Sequence, residues 1–457
     1  MMPKISVCII AKNEQKYIED CLKSVKPIAN EIIVLDTGST DKTIEIASKY
    51  ANVYKTEWKD DFSKARNECL SYAKGDWILY LDADEILTEY TQQNLLSFLA
   101  SQNLNKASVF YFKVYKLQAN EYAITSFFKS AIFRNGLGIN FISPLYEYLN
   151  YPKGKLSVEL CPSFVIYNLD NYRPTQDIQT RTENYIKKLL SITENSKDKN
   201  TNYYYYYHLG NNYCQIEKYN EAIEYYYKAY SQVEKLKIKS NSFYASLLIK
   251  LIGTLLFCSS DYKDVSILID NLLKLSPQFP DTLFLSAYYK QKTNNFSDAI
   301  KIYENLLKIL SSKNKDDLNP LGITSLEDSI IPMLKLELAR CYIILGDKIK
   351  GLSYLDESYN EYPNSKQVLI HLIKYYLFEN NLKGASFYYF KNVSDIKANE
   401  KENIEAVSNL PAKSPQYKST ILRFLKGLES ISNEWSDIEL KSISEKIKEL
   451  ELNNSIN

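Results

Sequence analysis

Histidine is almost missing from this chain: there are two, His208 and His371, among 457 residues, both in the second half. Chemistry in the first half must therefore rest on carboxylates, lysine, tyrosine or a bound cation. The seven cysteines (8, 21, 69, 161, 214, 258 and 341) are odd in number and scattered, with no Cys-x-x-Cys pair. They make neither a disulfide framework nor a zinc site, and reduced, mostly buried thiols are expected. Net charge is missing too. A balance of +1 without a long Lys/Arg block gives no field to attract a polyanion, which disfavours nucleic acid as a partner. Neither a Gly-x-Gly-x-x-Gly nor a Gly-Lys-Ser phosphate loop occurs, which speaks against dinucleotide and P-loop folds. Long apolar runs are absent as well. Leu247 to Cys258 is interrupted by Lys250 and falls short of a membrane span, and the run ending at Ile10 is too short for a signal core. A soluble cytoplasmic protein without stable membrane insertion is expected.

With 45% hydrophobic and 24% charged residues, the chain has the composition of globular protein, and its length implies two or three domains. The first half alternates apolar runs with helical patterns: Ile5 to Ile10, then Gln15 to Ser24; Glu31 to Leu35, then Lys42 to Tyr50; Val53 to Thr56, then Phe62 to Lys74; and Trp77 to Leu81. Short β-branched strands alternating with helices predict an α/β domain around a mostly parallel sheet. Its strand ends carry Ala11-Lys12-Asn13-Glu14, Asp36-Thr37-Gly38-Ser39-Thr40-Asp41 and Asp82-Ala83-Asp84. These three polar clusters are predicted to meet at the carboxyl edge, where open α/β sheets bind ligands.

Asp82 and Asp84 follow an apolar strand and are too costly to bury unpaired, so they face solvent, a partner or a cation. Taken singly, each cluster also has a plain reading. Asp82 and Asp84 can hydrogen-bond backbone amides in a turn, and Gly38 to Asp41, Asp61 and Ser63 can cap helices. Capping leaves unexplained why Asp36 and Asp82 both terminate strands. The chemistry that suits the combination is binding of a nucleotide diphosphate, with a divalent cation taking one or two protein oxygens and Arg66 sharing the phosphate charge.

The segments Ser6 to Glu14, Glu31 to Asp41, Asp61 to Asn67 and Leu81 to Glu85, in this order and spacing, resemble the successive motifs of family 2 glycosyltransferases with the GT-A fold. The resemblance implies that Ala11 and Glu14 line the donor-nucleotide site, Asp36 reads the uracil and Arg66 lies near the diphosphate. It further implies that Asp82 holds the ribose and Asp84 the metal, Mg²⁺ or Mn²⁺. With a helical repeat region behind such a domain, the chain is similar to sublancin-type peptide S-glycosyltransferases, which attach a sugar to a cysteine of a bacteriocin precursor. Repeat-bearing relatives with other acceptors keep a polysaccharide or lipid-linked acceptor open. Ile132-Phe133-Arg134-Asn135-Gly136 and the later Tyr146-Glu147 resemble that subgroup's Phe-Arg-Asn segment and His-Glu pair. Tyr146 stands where that histidine is expected, and Asn168 where a second one is. The resemblance implies a UDP-sugar donor, a peptide or protein acceptor and inversion at the anomeric carbon, with Glu147 as base. The two lost histidines keep open a repeat-based binding protein without turnover.

From Tyr203 the pattern changes to helix pairs. Leu209-Gly210-Asn211-Asn212-Tyr213 with Tyr219-Asn220-Glu221-Ala222-Ile223 and Ala229 resembles a tetratricopeptide repeat, in which small residues let paired helices approach. Weaker copies lie at Asp261 to Asp264, at Asn295 to Ile300, around Gly346-Asp347-Lys348, and from Val368 to a turn at Asn380-Asn381-Leu382. Prolines 277, 280 and 363 punctuate them. Tyr203 to Tyr207 are read as one helix with several tyrosines in the domain interface, with a peptide-binding stripe as the alternative, and both histidines as packing residues. The expected organisation is a GT-A glycosyltransferase domain over 1–175, a helical linker over 176–202, tetratricopeptide-like repeats over 203–412 and a helical cap over 413–457. Such an array presents a concave surface to a peptide or pairs with a second copy as a homodimer.

Overall fold

The computed structural model describes residues 2–101, 107–116, 125–151, 157–169, 175–196, 199–238, 241–259, 262–311 and 330–361, with isolated positions beyond. The chain divides into two compact units, residues 1–331 and 332–457.

In the first unit, β1 (Ile5–Ala11) is buried on both faces, from Ile5, Val7 and Ile9 on one side to Ser6 and Cys8 on the other. That burial is what a central parallel strand requires. β1 pairs in parallel with β2 (Glu31–Asp36) and β4 (Trp77–Asp82), and β2 pairs with β3 (Asn52–Lys55). Helix α1 (Ile18–Val25) buries Ile18, Cys21, Leu22 and Val25, the one-face spacing of an amphipathic helix. α2 (Thr43–Ala47) and α3 (Phe62–Ser71) complete the β-α-β crossovers. At Gly75 an added Cβ would lie 2.7 Å from the Ser6 amide nitrogen, so the chain passes β1 at a distance only glycine permits.

Beyond β4 the sheet becomes mixed. Its order is β3-β2-β1-β4-β7-β6-β10-β5, with β5 (Glu85–Leu87), β6 (Ala107–Lys116), β7 (Thr125–Arg134) and β10 (Ser157–Asn168). α4 (Glu89–Ser101) follows β5, and β8 (Asn140–Ile142) with β9 (Tyr148–Asn150) forms a small separate sheet. β7 is antiparallel to β4 and β6, and β5 to β10. The parallel half therefore matches the sequence reading, and the antiparallel half makes the sheet mixed rather than simply parallel. This is an α/β domain followed by helices, as the sequence pattern predicts.

Helices fill the rest of the unit: α5 (Thr175–Asn195), α6 (Asn202–Gln215), α7 (Tyr219–Leu236), α8 (Asn241–Cys258), α9 (Val265–Leu275), α10 (Pro280–Lys292) and α11 (Phe296–Leu310). α6 and α7 pair closely because Gly210 has no side chain. A Cβ there would lie 2.9 Å from Cζ of Tyr226, a fully buried ring, and closer still to its other carbons. α8 buries Leu247, Leu248, Leu251, Ile252, Leu255 and Leu256, which together cover about half of its circumference, a broad apolar face for a helix in a stack. Among the described residues no helix is long and apolar enough to cross a membrane.

The second unit contains most of α12 (Ile330–Ile344) and α13 (Lys348–Glu361), with a core of Leu336, Ala339, Leu355, Val368 and Leu372. Gly346 turns the chain between them at φ +91°. His371, Pro363, the turn at Asn380 to Leu382 and nearly all of 413–457 lie outside the described residues.

Candidate active site

In the parallel half, the strand order reverses between β1 and β4, and ligands of open α/β sheets bind at the carboxyl ends on either side of such a point. Ile10 is in register with Asp82 there, and Ala11 with Asp36. A cavity of about 1130 Å³ opens at this edge, lined by Ala11, Glu14, Arg66, Asp82, Asp84 and Glu147, among others. Of the residues expected at the site, only Asp36 is not in its wall. The Asp36 carboxylate, 3% exposed, accepts the Gly38 amide at 3.0 Å and the Ser39 amide at 3.0 Å, and the neighbouring Thr37 lines the cavity instead.

Arg66 is the hub. Asp61 caps α3 by accepting the Lys64 amide at 3.0 Å, and one turn further on Arg66 points inward, 8% exposed. Its Nη2 donates to Asp82 Oδ1 and its Nε to Glu147 Oε1, both at 2.6 Å. Its guanidinium lies over the rings of Tyr80 and Phe141, at 5.0 and 5.3 Å. Glu147 Oε2 has no hydrogen-bond partner among the described residues, so one oxygen of that carboxylate is left open to the cavity.

A second cation was not foreseen. Lys129 of β7 donates to Asp82 Oδ2 at 3.0 Å and to Glu85 Oε2 at 2.6 Å. Burial would push the Asp82 carboxyl up, but Lys129 and Arg66 outweigh it and hold the group well below the usual carboxylate range. Glu85, 2% exposed, goes the other way: burial raises it, and Lys129 offsets that only in part. Asp82 is thus a fixed anion, clamped from both sides. The signal in the sequence was a lone cation inside the apolar run Phe127 to Phe133.

Asp84 is 8% exposed, and strand pairing explains its neighbour. β5 runs antiparallel to β10 with Glu85 opposite Asn168, and Asn168 Nδ2 donates to Asp84 Oδ1 at 3.3 Å. Among the described residues no three His, Cys, Asp or Glu side chains gather to hold a metal. Mg²⁺ asks less than that, namely one or two protein oxygens with the rest from phosphate and water. The Asp84 carboxylate, with the Asn168 carboxamide oxygen after a half-turn of the amide, fits that demand.

Tyr146 is engaged by α6 through its hydroxyl, which accepts from Asn212 Nδ2 at 2.6 Å. Burial pushes its hydroxyl up to about 12, against a weaker opposing bond from Asn212, so it stays a neutral phenol near neutral pH. Its ring stacks on His208 at 3.9 Å between centroids. His208 is buried deeply enough to be pushed down to about 3, and is a packing residue as expected.

α5 contributes a wall that a linker would not. Thr180, Arg181, Asn184, Tyr185 and Lys188 all line the cavity. Their spacing of three and four puts them on one face of the helix.

Parts of the chain are similar to known proteins. Residues 6–157 match Glycosyl transferase family 2. The matched stretch runs from β1 to the start of β10 and includes every carboxylate of the site. A TPR repeat-containing protein of Synechococcus elongatus is 40% identical over 152 residues, 33% of this chain and 36% of that protein. The SPbeta prophage-derived glycosyltransferase SunS of Bacillus subtilis is 26% identical over 374 residues, 79% of this chain and 81% of SunS. The chain thus spans about a third of the first relative and about four fifths of the second. The crystal structure of S. aureus TarS aligns at 17% identity over 60% of this chain and 55% of that one, with a TM-score of 0.28.

Proposed function

We propose that this family 2 enzyme is an inverting glycosyltransferase that moves a hexose from a UDP-sugar to a peptide or protein acceptor. The observation that carries the reading is the linked set Asp82–Arg66–Glu147 on one cavity wall, with both ion pairs at 2.6 Å. Asp82 faces the ribose, Arg66 the diphosphate, and Ala11 and Glu14 the nucleotide, with Asp36 shaping the uracil end through its turn. The wall formed by α5 is left for the acceptor. Resemblance to sublancin-type enzymes makes a cysteine of a bacteriocin-like precursor the first acceptor to try. A thiol, with a pKa near 8.5, also asks less of a base than a hydroxyl does. The protein would act in the cytoplasm, where sugar nucleotides are made available to it.

In the transfer step the acceptor loses its proton to Glu147 Oε2 as it attacks the anomeric carbon. The bond from that carbon to the diphosphate oxygen breaks, the electron pair leaves with UDP, and attack from the opposite face inverts the centre. Arg66, already desolvated, offers its charge to the leaving diphosphate without reorganisation. Mg²⁺ or Mn²⁺, held by Asp84 and Asn168, would supply further stabilisation of the diphosphate charge.

The test is UDP release and intact-mass change of cysteine-containing peptides incubated with a panel of UDP-sugars. Glu147→Gln should lower kcat by about 10²- to 10⁴-fold while UDP still binds. Undiminished turnover in that variant would refute Glu147 as base. A second reading, a binding protein without turnover, is favoured by Tyr146 and Asn168 at the two expected histidine positions. UDP binding with no transfer or hydrolysis from any donor would establish it.

A further inference from the structure

The loop that carries Glu147 joins β8 to β9, where Ile142 opposite Tyr148 closes its base, and it is not part of the eight-stranded sheet. Ser143 and Tyr146 both take left-handed backbone, at φ +80° and +54°, a conformation bulky residues hold only where their surroundings impose it. On one side the Pro144 carbonyl accepts the Phe62 amide at 3.0 Å, which ties the loop to the first turn of α3 and so to Arg66. On the other side its hydrogen bonds come from α6, and its packing from α6 and α5 together. Tyr204 Oη donates to the Tyr146 carbonyl, and Asn212 Nδ2 donates to Tyr146 Oη at 2.6 Å. The Tyr146 ring lies parallel to His208, interplanar angle 6°. The His208 Nε2 atom is buried with no hydrogen-bond partner among the described residues, and the imidazole meets the rings of Tyr146, Tyr204 and Tyr207. Leu145 packs in one cluster with Leu209, Tyr205 and Tyr206 of α6 and Ile186 and Leu189 of α5.

We propose that Tyr204, His208 and Asn212, on the first repeat helix, are positioning residues that set Glu147 for the transfer step by fixing the backbone of Tyr146. The inference rests on Glu147 being the base. Tyr204 anchors the carbonyl just before Glu147, His208 and Asn212 hold the ring of the same residue, and α3 holds the other end of the loop. The two partners of the Arg66–Glu147 pair thus reach 2.6 Å from elements that α6 and α3 orient separately. A displacement of the order of 1 Å in a catalytic group costs about a hundredfold in rate. Loss of a single anchor should cost less.

The test uses the full chain in two arms. In the first, hydrogen exchange over residues 143–148 is compared for wild type and Tyr204→Phe, which keeps the ring and removes one hydrogen bond. Exchange should quicken about tenfold, the scale of one hydrogen bond to a buried carbonyl, with β1 unchanged. In the second arm, Tyr204→Phe and Asn212→Ala should each lower kcat about three- to thirtyfold while the Kd for UDP stays within twofold. His208→Ala should fall similarly, and His208→Phe, which restores a flat ring, should recover most of the loss. Unchanged exchange in the loop would overturn the proposal, as would lower melting temperatures with kcat untouched. A wild-type protein that transfers no sugar would refute the functional reading instead. The exchange arm would then still decide whether α6 holds this loop.

Discussion

Replacing Lys129 by methionine keeps the length of the side chain and removes the cation between Asp82 and Glu85. Asp82 keeps its Arg66 partner, and its side chain is 39% exposed, so solvent screening makes its share of the loss small. Glu85 has no such refuge. Its side chain is 2% exposed, and without Lys129 the Asp82 amide, at 2.9 Å, is the one donor left to it among the described residues. Breaking a buried ion pair by removing one partner costs about 3–5 kcal/mol. For a unit of this size that corresponds to a fall in Tm of about 6–10 °C. The loss should depend on pH with a definite sign. Burial already raises the Glu85 carboxyl in the intact protein, and removing Lys129 raises it further. A carboxyl raised in the folded state binds more protons there than in the unfolded chain. The penalty is therefore small near the unfolded value of about 4.3 and grows as pH rises through the folded one. Melting curves for wild type and Lys129→Met at pH 5 and pH 8 should show the larger gap at pH 8, and adding Glu85→Gln should recover more than half of it. A Tm within 2 °C of wild type at pH 8 would refute the reasoning, as would a gap that Glu85→Gln leaves unchanged.

Gly210→Ala should destabilise the protein by about 1–3 kcal/mol through overpacking against Tyr226, read by denaturant unfolding, since that ring has no room to withdraw. Asp61→Ala removes the cap of α3 and should cost about 1 kcal/mol. Burial opposes the depression of Asp61, but the Ser63 hydroxyl and Lys64 amide prevail. Its contribution is thus present above about pH 3.9 and lost on acidification, which a pH series of melts would reveal. Asp84→Ala should abolish any stimulation of UDP release by added Mn²⁺. Wild-type stimulation in that variant would remove Asp84 as a cation ligand.

The parallel half of the sheet was legible because each strand is a short apolar run ended by a polar cluster, and the alternation with helices leaves little choice of topology. Asp82, Asp84, Arg66 and Glu147 could be located by motif and do meet at one cavity. Their partners were harder to read. Lys129 reaches Asp82 only because β7 joins the sheet antiparallel beside β4, a pairing no local pattern announces. Asn168 lies beside Asp84 because β5 folds back on β10. The part played by α5 and α6 at the site depends on long-range packing of Leu145 against Ile186 and Leu209, which sequence spacing does not encode. The reading of Tyr203 to Tyr207 as an interface holds in part. Tyr204 and Tyr205 meet the loop at 143–148, whereas Tyr206 and Tyr207 face rings of α7 and α8.

The cluster joining Leu145 and Phe62 to Ile186, Leu189 and Leu209 bears on how such chains are cut and recombined. A fragment ended near residue 175 keeps every strand of the sheet and loses the partner surface of the loop at 143–148. Chimeras that graft this sheet onto a foreign repeat array are expected to need α5 through α7 as part of the donor fragment, so the interchangeable seam lies after Leu236. Under the proposed function, repeats exchanged downstream of that seam should leave turnover unchanged.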